Sequence, residues 1–307
     1  MIGPLAVPPA SRGWVTALRL AIAVGLVAVT LAWVHPHELL QAVRQVGPFR
    51  LANAAALGLT GLALQWWRWY GLLAAAAPAV TLREAWHTLL VGFGLGLVSP
   101  GRLGELGRGA FSPPQRRTQL AALALVDRAS SAAVCLVVAG VALTTVAPGW
   151  GGLAWVSLAG MAGVARWAWP RNRGRPIRRR VAAFLAPVRL LPAVAWRRLL
   201  GLSAVANAVL FVQFAVLLGP VDAGAVRLAQ ATPLVFGLKT MVPLSLVDLG
   251  VREAAAVVVF TRLQLDPAPA FGAAVLVFIL NVLMPGLAGL VLVYRQVGRD
   301  PLGSPER

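Results

Sequence analysis

Ser99-Pro100-Gly101-Arg102-Leu103-Gly104-Glu105-Leu106-Gly107-Arg108 interrupts an apolar stretch that runs from about 85 to 110. Ser99 is placed to cap a helix whose first residue is Pro100, where proline loses no needed donor. Gly92, Gly94, Gly96, Gly101, Gly104 and Gly107 permit close backbone approach. A helix that starts inside a membrane presents free N–H groups and a positive dipole end, which suits a phosphate or a carboxylate. Arg102 and Arg108 add charge and forked donors. Glu105 lies three residues from each, so on a helix all three share one face.

The surroundings of this stretch say what solvent it meets. The chain has 307 residues, of which 59% are hydrophobic and 12% charged, and a mean hydropathy of +0.76. Soluble domains carry about 25% charged residues. The composition excludes a cytosolic enzyme, a disordered regulator and a secreted disulfide scaffold, and leaves an all-α polytopic membrane protein. At about 20 apolar residues per span, the length allows roughly six to eight segments and no sizeable soluble domain. The net charge of +18 would point to nucleic acid in a soluble protein. Here basic loops set topology and meet anionic lipid, so no nucleic-acid partner is expected. Cys135 lies in an apolar run and is read as a small apolar residue. The N-terminal segment is read as an uncleaved first helix.

Six full spans are expected at about 14–34, 51–73, 119–146, 152–169, 199–219 and 270–294. Two further stretches, about 85–110 and 231–263, are broken by Gly and Pro. Trp66, Trp67, Trp69, Trp150, Trp155, Trp167, Trp169 and Trp196 fall near span ends, where interfacial indoles sit. Five basic residues lie within segments or motifs: Arg102, Arg108, Arg128, Lys239 and Arg252. Of the other arginines, 19 fall at the two termini, at 68–83, at 116–117 and in the loop from 166 to 198. The opposite side has four: Arg44, Arg50, Arg227 and Arg262. The positive-inside rule then places both termini and the central loop in the cytoplasm, as a multi-pass protein of an inner membrane. This count requires each broken stretch to enter and leave on one side, as a re-entrant hairpin or a pair of short helices.

The two broken stretches repeat at an offset of 143 residues. Phe93-Gly94-Leu95 matches Phe236-Gly237-Leu238, Pro100 matches Pro243, and Glu105-Leu106-Gly107 matches Asp248-Leu249-Gly250. Arg108 and Arg252 follow, with one extra residue in the second copy. Each half then has two spans, a broken hairpin and a third span. Three full crossings per half invert the second half relative to the first, a common transporter plan. The expected division is 1–150 for the first membrane repeat, 151–198 for spans and the basic loop opening the second, and 199–307 for the remainder.

The second motif, Pro243 to Glu253, offers Ser245 or Asp248 as cap of the following helix, with Asp248 and Arg252 as i,i+4 partners. A charge at mid-bilayer costs about 2.5–3.5 kcal/mol. Glu105, Asp248 and Glu253 are therefore expected to pair with Arg102, Arg108 and Arg252, or to line water. One network of this kind serves either to hold two hairpins together or to bind a headgroup. Asp127 and Arg128 are adjacent and so face different partners, in a structural or a transport role. His35, His37 and His87 have no second ligand at metal-site spacing, and no metal or cofactor is expected. Lys239-Thr240 lacks the glycine pattern of a phosphate loop.

At these residues a family resemblance enters. Pro100-Gly101-Arg102-Leu103-Gly104-Glu105-Leu106-Gly107-Arg108 resembles the P-x-R-x-G-E-x-x-R signature of the lysylphosphatidylglycerol synthase transmembrane-region, or flippase-like, family. Asp127-Arg128 resembles the acid/arginine pair of that family's next helix. Pro243, Ser245, Gly250, Arg252 and Glu253 resemble its second signature, near P-x-S-x-G-G-x-G-x-R-E, with Val247-Asp248 in place of two glycines. The resemblance covers roughly 10–295. It implies lipid translocation or a lipid-handling accessory role. The family's synthase chemistry belongs to a separate soluble domain, for which the span count leaves no room. The expectation is therefore a non-enzyme without an aminoacyltransferase domain.

The leading expectation is a flippase-like transporter. A phosphate-containing headgroup would enter between the hairpins, held by Arg102, Arg108 and Arg252. Glu105, Asp248 and Glu253 would hold those arginines, with Ser99, Pro100, Gly104, Asp127, Arg128, Pro243, Ser245 and Gly250 in support. Rocking of the two inverted halves would alternate access. The expected partner is a membrane phospholipid or polyprenyl-phosphate lipid, with an enzyme that supplies it as a further partner. The competing readings are a membrane enzyme or accessory protein of lipid-linked glycan metabolism, and a non-transporting scaffold.

Overall fold

Proline and short polar caps punctuate the chain. The computed structural model describes residues 46–299 apart from 78, most of 148–175, 220–223 and 242–249. Helix α1 spans Pro48–Ala76 and α2 spans Leu82–Leu97; a 3-10 segment covers Pro100–Gly109, and α3 spans Pro114–Val146. Then come α4 (Pro176–Phe184), α5 (Ala186–Arg189), α6 (Ala193–Leu218), α7 (Gly224–Met241) and α8 (Val251–Arg262). Helix α9 (Pro267–Phe278) continues through a π turn (Ile279–Leu283) into α10 (Met284–Arg299). No strand occurs among the described residues. Helices α1, α3 and α9 open on proline, whose missing donor is not needed there. The Thr81 hydroxyl accepts from Glu84 N at 3.1 Å to start α2, and Asp266 accepts from Ala268 N at 3.0 Å to start α9. The π turn precedes Pro285, which cannot donate to the carbonyl four residues back; the wider turn accommodates that loss.

Three helices are long and apolar enough to cross a membrane: Pro114–Val146, Ala193–Leu218 and Pro267–Gln296. They coincide with the spans expected at 119–146, 199–219 and 270–294. The span expected at 51–73 falls on α1, whose 29 residues reach about 44 Å. The span at 14–34 lies outside the described residues, as does most of 152–169.

Helix α2 ends where Ser99 precedes proline and turns extended, at φ −126° and ψ 141°. The α-helix expected from Pro100 does not form. Gly101 and Arg102 take left-handed conformations, with φ of 58° and 55°, and a 3-10 segment follows. For a non-glycine residue that region costs about 1–2 kcal/mol. Arg128 helps offset it by donating to the carbonyls of Arg102 and Gly101. The Ser99 hydroxyl accepts from Gly104 N at 2.6 Å, tying the segment back to the end of α2. Gly104 allows no side chain, since a Cβ there would lie 2.0 Å from the Leu95 carbonyl oxygen.

Helices α1 and α6 run antiparallel, because Ala54 meets Gln213 while Arg68 meets Ser203. Helix α2 crosses α10 at Gly94 and Gly289, where a Cβ on Gly289 would sit 2.0 Å from the Leu90 oxygen. Helix α7 crosses α3 at Gly237 and Ala139, where a Cβ on Gly237 would sit 2.3 Å from the alanine Cβ. Small residues thus bring backbones together at both crossings. Arg116 in the first turn of α3 pairs with Glu84 in the first turn of α2 at 2.9 Å, so these two helices start side by side. One apolar core gathers around Trp69, Leu72, Leu89, Phe93 and Leu123, and a second around Phe214, Phe236 and Phe260.

Candidate functional site

Two carboxylates, each shared by two arginines, organise the site. Asp127, 1% exposed on α3, accepts from Arg68 Nε at 2.6 Å through Oδ1 and lies 3.0 Å from Arg108 Nη1 through Oδ2. Arg68 also donates to Ser203 Oγ at 3.2 Å, which anchors it to α6. The Arg108 guanidinium lies over the Trp69 ring, 4.3 Å from its centroid. That ring is fixed by its own N–H, which donates to Thr88 Oγ1 at 2.9 Å. Such stacking favours a desolvated cation. Glu105, 6% exposed, pairs with Arg102 and, at 3.3 Å, with Arg128 Nη1. Adjacent Asp127 and Arg128 therefore serve different triads.

These groups line one cavity of about 440 Å³, within the range of ligand pockets. Arg68, Arg102, Arg108 and Arg128 reach it from α1, the 3-10 segment and α3; Lys239 and Arg252 reach it from α7 and α8. Glu105 and Asp127 are the acidic residues among its described lining. The remaining wall is apolar or carries neutral amides. Gln213 and Asn281 exchange two amide hydrogen bonds, at 2.6 and 3.2 Å, and Gln213 also donates to the Ala54 carbonyl at 2.9 Å. Gly58 leaves room for this pair, since a Cβ there would lie 2.9 Å from Asn281 Oδ1. Asn207 holds α6 to α3 through the Ser131 carbonyl and hydroxyl. Among the described residues, no group of His, Cys, Asp and Glu converges to hold a metal ion.

The structure distributes the expected residues unevenly. Arg102, Glu105, Arg108, Asp127 and Arg128 converge on the cavity. Glu105 pairs with Arg102 as the spacing suggests, but Arg108 is held by Asp127, because left-handed Gly101 and Arg102 and an off-helix Gly107 abolish the common helical face. Arg252 is buried, lines the cavity and lies 6.0 Å from the Phe236 ring centroid. Its counterpart contact is Arg102 at 5.8 Å from Phe93, the residue that matches Phe236 in the repeat. Glu253 turns back to accept from Gly250 N at 2.7 Å. Gly250, at φ 85°, stands at the helix start without a side chain, so Glu253 and neither Ser245 nor Asp248 caps α8. Pro243, Ser245 and Asp248 lie outside the described residues.

Two cations were misplaced by sequence reasoning. Arg68, counted as a loop residue, is 5% exposed and bound to Asp127. Its neighbour Trp69, assigned to an interface, is fully buried. Lys239, set aside as a failed phosphate loop, lines the cavity. The amides Gln213 and Asn281 sat in plain view as polar residues in apolar spans, a signal for interhelical contacts.

A family model described as "Lysylphosphatidylglycerol synthase TM region" matches residues 16–289. No curated protein matches the chain.

Proposed function

The chain belongs to the lysylphosphatidylglycerol synthase TM-region family, and we propose that this multi-pass membrane protein takes a phosphate-containing lipid headgroup into its arginine-lined cavity and moves it between leaflets. The family places it among membrane proteins associated with lipid metabolism. The observation that carries the reading is the cavity's lining: six cations against two carboxylates among the described residues. Forked guanidinium donors match phosphate oxygens, and burial strengthens each contact. Neither Glu105 nor Asp127 stands free as a base, since each is committed to two arginines. The proposal therefore assigns binding and movement to the cavity, and no bond-making step.

The reading includes two inverted repeats, six spans and two re-entrant hairpins. Adjacent starts of α2 and α3, marked by the Glu84–Arg116 pair, support a hairpin that enters and leaves on one side. Antiparallel packing of α1 on α6, which the offset makes equivalent, supports inversion. So does the exchange by which α2 packs on α10 and α7 on α3. Arginine distribution orients this unit with both termini on the cytoplasmic side of an inner membrane.

The test is movement of short-chain fluorescent phospholipids in liposomes that hold the purified protein, read by quenching of the outer leaflet. Wild type is expected to equilibrate the lipid across the bilayer, and Arg108→Ala, Arg252→Ala and Glu105→Gln to lose that activity while remaining monodisperse. Transfer at the wild-type rate in both arginine variants removes the site from the mechanism.

A further inference from the structure

The charges in the cavity do more than invite a phosphate: they set how much negative charge the ligand brings. Each carboxylate is bracketed by two guanidiniums, Arg68–Asp127–Arg108 and Arg102–Glu105–Arg128. Each triad carries one surplus positive charge. The second side adds Lys239 and Arg252. If Asp248 and Glu253 are both counted against that pair, the surplus of two from the triads remains. An uncompensated surplus is costly where water is scarce. It is also directed, because Arg108, 3% exposed, lines the cavity with an Nε that has no acceptor among the described residues.

Resting on the headgroup reading above, we propose that the cavity selects a headgroup bearing two negative charges, a phosphomonoester or diphosphate, over a monoanionic phosphodiester and over a cationic aminoacylated one. A phosphomonoester carries about −1.5 to −2 at pH 7 and three acceptor oxygens, one face for each triad and one to spare. A phosphodiester brings one charge and leaves one triad unbalanced. A lysyl ester on the headgroup adds an ammonium beside four arginines and is repelled.

The measurement is lipid retention on the purified protein by native mass spectrometry, titrated separately with phosphatidate, phosphatidylglycerol and lysylphosphatidylglycerol, and with inorganic pyrophosphate as a competitor. Phosphatidate is expected to bind about tenfold more tightly than phosphatidylglycerol, the equivalent of one further charged hydrogen-bonded contact, and lysylphosphatidylglycerol more weakly than either. In Arg128→Gln, whose side chain is the most open of the four at 35%, that tenfold preference is expected to fall to about twofold. Equal retention of all three lipids, or a preference untouched by Arg128→Gln and by Arg102→Gln, overturns the charge assignment while leaving a lipid site standing. Pyrophosphate binding without retention of any lipid supports the dianion and overturns the lipid reading instead. Stronger retention of lysylphosphatidylglycerol overturns the inference outright.

Discussion

Asp127→Asn isolates the electrostatic core of the site. The substitution preserves volume and one acceptor oxygen, so Arg68 Nε keeps a partner in place of its 2.6 Å contact. It removes the negative charge and sets an amide N–H2 near Arg108 Nη1, now 3.0 Å from Oδ2. Both arginines are nearly inaccessible, at 5% and 3% exposure. Removing one partner of a buried pair costs about 3–5 kcal/mol. The cavity supplies some screening and Arg108 retains its stacking on Trp69, so the expected loss is about 2–3 kcal/mol. Denaturation in mixed micelles, followed by tryptophan fluorescence, measures it. Arg68→Gln completes a double-mutant cycle. The double variant is expected to be more stable than the sum of singles predicts by at least about 1 kcal/mol, because it removes both the charge and its counter-charge. Additivity within about 0.5 kcal/mol, or an Asp127→Asn protein as stable as wild type, refutes the reasoning.

Two further outcomes follow from geometry. Gly289→Ala places a Cβ 2.0 Å from the Leu90 oxygen and 2.6 Å from Gly94 N, both backbone atoms, and is expected to cost about 1–3 kcal/mol in the same assay. Gly71→Ala, with nothing within 4 Å, is the control and is expected to be neutral or slightly stabilising. Ser99→Ala removes the acceptor for Gly104 N and is expected to cost about 1 kcal/mol, with faster amide exchange confined to 99–109 as the check.

The hairpin residues were legible in the sequence because proline, glycine and charge are scarce in membrane segments, and their coincidence at Pro100–Arg108 marks a break. The conformation of the break was not. An i,i+3 argument assumes a helix, and left-handed Gly101 and Arg102 put Arg108 in the company of Asp127 instead. Arg68 was hidden for a different reason. Flanked by Trp66, Trp67 and Trp69, it has the local look of an interfacial anchor, and only contact with Asp127, 59 residues away, reveals an interior cation. The adjacency rule did separate the partners of Asp127 and Arg128, since it depends on nothing beyond helix geometry. Glu253 shows the limit of reading charge as ligand: a carboxylate at the third position of a helix also satisfies the backbone at its start.

The reciprocal crossings have a mechanical consequence. Gly94 from the first half of the sequence is seated on Gly289 from the second, and Gly237 from the second is seated on Ala139 from the first. Parting the chain along its evolutionary seam would tear both seats open and present bare helix backbone to hydrocarbon. The duplicated halves are therefore clasped like two hands, and the clasp argues that the pieces which swing are not the pieces that were duplicated. Each swinging body pairs a short helix of one copy with a long helix of the other, α2 with α10 and α7 with α3. Coexpressed fragments split near 150–190 would have to rebuild that grip in the bilayer before either holds a wall of the cavity.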